Sequence, residues 1–162
     1  ILLSWHSNFF NYLYRNFFMN KFLLALLVFN INVMAISYEV RMLNQGEEGY
    51  MVFEPAVLEI AVGDTVTFKA TDAAHNSASI SGMIPEGAKA WSGDLSKDII
   101  VTFDTPGVYG YQCTPHSMMA MVGLIKVGGE ATNIEQIKAV AETLKPSFVM
   151  NKGRFDTYIS KL

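Results

Sequence analysis

The chain has 162 residues, 51% of them hydrophobic and 17% charged, with a formal net charge of −3. That length holds one domain able to bury its own core. The acidic balance argues against nucleic acid as a partner, since such binding favours a basic patch.

The first stretch does not read as fold. Residues 1–18 lack a starting methionine and are rich in Phe, Tyr and Asn; they read as sequence upstream of a start at Met19, or as an extended leader. Met19-Asn20-Lys21 opens a short basic region, Phe22 to Phe29 form an apolar core, and Val33-Met34-Ala35 is a small-residue cleavage pattern. Residues 19–35 therefore have the layout of a secretory signal peptide. The apolar core is far shorter than the roughly 20 residues of a spanning helix; an uncleaved anchor is the lesser alternative. The expected mature protein is a single domain over 36–162, exported to the periplasm. It carries all 15 acidic residues and 10 of the 12 basic ones, a net charge of −5.

From Tyr38 onward, short runs alternate apolar and polar residues between turn signals. Tyr38, Val40 and Met42 alternate with Glu39 and Arg41. Gly46 to Gly49 is a turn before Tyr50-Met51-Val52-Phe53, Pro55 interrupts, and Val57 to Ala61 follows. Gly63-Asp64 precedes Thr65-Val66-Thr67-Phe68-Lys69. A looser stretch, 71–97, holds His75. Ile99, Val101 and Phe103 alternate again, Thr105-Pro106-Gly107 turns the chain, and Tyr109, Tyr111 and Cys113 share a face. Val122 to Val127 is a last strand. About seven or eight such runs predict a β-sandwich or barrel of antiparallel strands. In the tail, Thr132-Asn133-Ile134-Glu135 reads as a capping box with Thr132 as N-cap. Ile134, Ile137, Val140, Ala141 and Leu144 form a helical stripe that Pro146 stops. Phe148, Phe155, Ile159 and Leu162 predict a second helix, weakened by Gly153. Both helices are expected to cover apolar strand surface.

The run Cys113-Thr114-Pro115-His116-Ser117-Met118-Met119-Ala120-Met121 carries the chemistry. Cys113 is the chain's one cysteine. In an oxidising compartment a lone cysteine is a reactive thiol, an intermolecular bridge, a buried apolar residue or a metal ligand. Singly, His75 reads as a turn or core residue and the methionines as gap-filling core. Together, thiolate, imidazole and thioether in one loop suit copper cycling between its two common oxidation states. Cys113, His116 and Met121 supply three ligands. His6 lies in the leader, so His75 is the one remaining histidine for the fourth.

The pattern His75-Asn76, Cys113-Thr114-Pro115-His116 and Met121 resembles the cupredoxins, most closely their pseudoazurin branch. The likeness extends through Val40 to Asn44, Gly49 to Pro55, Gly63 to Phe68, Met83 to Ala88 and the two-helix tail. It implies a Greek-key β-sandwich with the two C-terminal helices packed against it. It implies one type 1 copper, with His75, Cys113 and His116 as equatorial ligands and Met121 as the axial one. Asn76 matches the residue that brace the two ligand loops and donates its backbone N–H to the cysteine sulfur. Thr114, Pro115 and Met51 belong to the same surroundings; Pro115 offers no N–H, and Met51 matches a side chain beside the loop histidine. Pro115, Met118 and Met119 are expected to form an apolar docking patch around an exposed His116 edge.

The implied function is a periplasmic electron carrier, with no catalytic residues of its own. Partners implied are copper nitrite reductase, nitrous oxide reductase or c-type cytochromes, which would place the chain in denitrification. One departure bears on this. Gln45, Ala73 and Gln112 stand where the family carries docking lysines, while Lys69, Lys89, Lys97 and Lys126 remain elsewhere. Steering toward an acidic partner is therefore expected to be weak. The alternative is a protein for copper delivery or storage, which the exposed Met118 and Met119 would suit. An enzyme with further copper centres ranks last for want of histidines, and a metal-free adhesion sandwich leaves the ligand set unexplained.

Overall fold

A computed structural model describes residues 34–162; the leader, with residues 1–18 and most of the expected signal peptide, lies outside them. Eight strands lie among the described residues: β1 (Ser37–Gly46), β2 (Gly49–Glu54), β3 (Val57–Ile60), β4 (Thr65–Lys69), β5 (Ala78–Ser79), β6 (Ile99–Thr102), β7 (Gly107–Gln112) and β8 (Val122–Val127). They form two four-stranded sheets, ordered β2-β1-β4-β6 and β3-β8-β7-β5. The expected sandwich forms, with one difference. β1 runs parallel to β4, Tyr38 opposite Val66, and β3 runs parallel to β8, Val57 opposite Leu124. The remaining strand pairs are antiparallel. Alternation of side chains marks which face is buried but not which direction a neighbour runs, so the sheets are mixed.

The alternating residues do face the core. Val40, Met42, Val66 and Phe68 are buried on one sheet, and Leu124 and Tyr111 on the other. Phe53 and Phe68 meet the Tyr111 ring edge-on at 4.7 and 5.0 Å between centroids. Trp91 stacks on Phe68 at 5.9 Å, so it is a core anchor. Each such ring contributes roughly 1.5–3 kcal/mol by burial. β7 is central in its sheet and buried along Gly107–Tyr111, so its last turn delivers Cys113 at a fixed place.

The tail forms α1 (Ile134–Leu144) and the short α2 (Arg154–Ile159). Ile137, Ala141, Phe148 and Phe155 of the predicted stripes are buried in the core cluster, Ile159 and Leu162 are partly buried against it, and Tyr158, outside the stripes, is buried as well. The capping box does not form. Asn133 is the N-cap of α1 and makes no side-chain cap bond. Its side chain instead accepts the Val108 N–H at 2.7 Å and donates to the Val108 carbonyl at 2.8 Å. The helix starts one residue later than the motif implies, and the side chain at its actual N-cap pairs with the backbone of β7.

Candidate metal centre

The ligand loop is a closed β7–β8 connection. The Cys113 N–H donates to the Met121 carbonyl at 2.9 Å. Inside it, the N–H groups of His116 and Met119 donate to Cys113 and His116 carbonyls, and Ser117–Met119 make one 3-10 turn. Ala120 then adopts φ +56° before Met121. His75 comes from the β4–β5 connection, after Ala74 at φ +66°. Ala74 N–H donates to Ser96 Oγ, and Ser96 N–H donates to the His75 carbonyl. Left-handed backbone at side-chain-bearing residues on both loops is held by these bonds.

The two loops bring three donors together. Cys113 Sγ lies 3.6 Å from His75 Nδ1 and 3.3 Å from His116 Nδ1. All three atoms lie within 4.8 Å of one another. Two donors bound at about 2.0–2.3 Å to one ion, at an angle near 110°, stand about 3.5 Å apart. The spacing therefore fits a shared ion, and the donor set of one thiol and two imidazoles fits copper. Met121 is fully buried and its N–H donates to the His116 carbonyl at 3.3 Å, so it stands at the same end of the loop.

Second contacts fix these donors. His75 Nε2 lies 3.0 Å from Asn44 Oδ1. A carbonyl oxygen only accepts, so Nε2 carries the proton and Nδ1 presents its lone pair toward the sulfur. Asn44, at the end of β1, is a site residue that its sequence position did not single out. Asn76 links the two loops: Oδ1 accepts the Thr114 N–H at 2.8 Å, while Nδ2 donates to the Gly93 carbonyl and to Thr114 Oγ1.

Burial divides the two histidines. His75 is fully buried and His116 half-buried. Thr114, Pro115 and Met118 are exposed, and Met119 and Met51 half-buried. Val149, unmarked in the sequence, joins this surface: it is 65% exposed, and its N–H donates to the Met118 carbonyl at 2.8 Å.

Burial lowers the affinity of His75 for a proton below its ordinary value near 6.5, and the neighbouring His116 ring adds to this. Burial pushes the Cys113 thiol up, opposed by the backbone N–H groups of Asn76 and His116. A folded state that binds the His75 proton more weakly than the unfolded chain loses stability as pH falls. The copper-free protein is thus expected to keep the full His75 contribution above about pH 6.5 and lose it as pH falls through the lower folded value. Urea midpoints measured between pH 8 and 5 check this; a midpoint that rises on acidification would contradict it. A metal ion must also displace the Cys113 proton, so acid weakens loading.

The family model described as copper binding proteins of the plastocyanin/azurin family matches residues 40–128. A pseudoazurin of Paracoccus pantotrophus is 41% identical over 114 residues, covering 70% of this chain and 79% of that protein. The crystal structure of pseudoazurin from Methylobacterium extorquens AM1 superposes with a TM-score of 0.67 at 38% identity, covering 77% of this chain and 98% of the other. Native pseudoazurin from Hyphomicrobium denitrificans superposes at 0.70 with 35% identity, covering 78% and 98%.

Proposed function

The chain belongs to the plastocyanin/azurin family of copper-binding proteins, grouping with its pseudoazurins, and on that footing we propose that it carries single electrons between redox proteins of the periplasm. The observation that supports this best is the convergence of Cys113 Sγ with the Nδ1 atoms of His75 and His116. In this reading those three residues and Met121 would hold the copper ion. Copper supplies the one-electron couple; the protein supplies a place where neither oxidation state needs new ligands. Asn44 and Asn76 hold His75 and the Cys113 loop, so the donors stay put when the charge changes. His75 is sealed from solvent, and the half-buried His116 is the port. Pro115, Met118 and Met119 surround it, with Val149 beside them, as a surface for brief docking; such encounters bury little area. Export is supported by the signal-like layout of residues 19–35.

Charge supports a partner bound more by apolar contact than by steering. Gln45 and Ala73 are exposed at positions where the family carries docking lysines, and Gln112 is half-buried. Of Lys69, Lys89, Lys97 and Lys126, three are paired: Lys69 with Asp98, Lys97 with Asp94, and Lys126 with Glu59. Copper nitrite reductase, nitrous oxide reductase and c-type cytochromes are the partner classes to try. Electron-transfer rates to each are expected to change little as ionic strength moves the screening length from about 30 Å at 0.01 M to about 8 Å at 0.15 M. A steep fall in rate with salt would overturn the weak-steering reading. A protein that hands copper rapidly to a chelator, and exchanges no electrons with any of these, would instead be a delivery or storage protein.

A further inference from the structure

The tail does more than cover the core. Arg154, at the start of α2, is buried at 8% exposure. Its Nη1 donates to the carbonyls of Ala120 at 2.7 Å and Met51 at 2.9 Å. Its Nη2 donates to those of Tyr50 at 3.3 Å and Glu48 at 3.5 Å. Ala120 and Met51 are also two of the non-glycine residues with left-handed backbone, at φ +56° and +50°. Such backbone persists in side-chain-bearing residues when the surroundings hold it. The same tail takes the two preceding loop carbonyls: Val149 N–H donates to Met118, and Asn151 Nδ2 reaches Met119 at 3.5 Å. Three successive carbonyls leading into Met121 are thus gripped from residues 149–154.

We propose that Arg154 is a positioning residue of the copper site, fixing the Ala120–Met121 peptide and the Met51 backbone through their carbonyl oxygens. The proposal rests on the reading of Met121 as a copper ligand. A peptide unit is rigid and planar, so a bond at the Ala120 oxygen orients the plane that begins Met121. The planar guanidinium presents several donors in a fixed fork, and a lysine ammonium in its place keeps the charge but cannot reproduce that fork.

The test compares wild type, Arg154→Lys and Arg154→Met, each loaded with copper. Both variants are expected to show a changed shape of the thiolate-to-copper spectrum and about tenfold weaker copper binding, the scale on which outer contacts act. A charge effect alone would leave R154K like wild type. A folded R154K with wild-type spectrum and affinity would overturn the proposal. If the variants do not fold, native-state amide exchange of the copper-free wild type decides. The Val149, Ala120 and Met121 amides are expected to open together; independent opening would overturn the proposal. Failure of the copper reading would look different, as a wild-type protein that stays colourless.

Discussion

Cys113→Ser is expected to give a folded protein with no blue colour. The thiolate is the soft donor of the set; a serine hydroxyl is hard and stays protonated at neutral pH, so no thiolate-to-copper transition remains. Cys113 is fully buried at the end of β7, between His75 Nδ1 and His116 Nδ1. A serine hydroxyl there keeps ring nitrogens within reach as hydrogen-bond partners, so the penalty for burying it is offset and the copper-free fold should lose no more than about 1–2 kcal/mol. Visible absorption with added copper and a urea melt of the copper-free variant separate the two effects. A persistent blue band would remove Cys113 from the site.

The second large effect is expected at Asn76. Its side chain makes three hydrogen bonds, to the Thr114 N–H, Thr114 Oγ1 and the Gly93 carbonyl, at 7% exposure. Asn76→Ala removes all three, from partners that are only partly screened from water, since Thr114 is exposed and Gly93 half-buried. A typical hydrogen bond contributes about 0.5–1.5 kcal/mol net, so the copper-free protein should lose about 1–2 kcal/mol. It should also bind copper about 10- to 100-fold more weakly, because the loops carrying His75 and Cys113 lose their joint. Urea midpoints and competitive copper titration measure both. Unchanged affinity in a destabilised variant would mean that the brace serves the fold and not the metal.

Much of the site was legible because the donors are so few. With the leader set aside, two histidines and one cysteine remain, and a thiol, imidazole and thioether close together in sequence narrow the chemistry sharply. The exposed patch at Pro115 and Met118 was implied by the family resemblance, and both residues are exposed. What stayed hidden depends on partners distant in sequence. Asn44 looks like a polar residue before a turn; its contact with His75 exists because β1 pairs with β4 and brings their ends together. Arg154 looks like the solvent face of a short helix; it is buried because four carbonyls from two other segments surround it. The Thr132–Glu135 motif showed the reverse failure. Its local signal was plain, yet α1 is capped one residue later at Asn133, whose side chain pairs with Val108, and Glu135 pairs with Lys138. Parallel neighbours in the sheets were invisible for a similar reason, since alternation carries no direction.

The most direct measurement is a copper titration of the purified mature protein followed by visible absorption and electron paramagnetic resonance. One equivalent of cupric ion should produce an intense blue band and narrow hyperfine splitting, both discharged by a one-electron reductant and restored on reoxidation. A colourless protein that takes zinc as readily as copper and shows no reversible redox change would contradict the assignment of His75, Cys113, His116 and Met121 as a type 1 copper site.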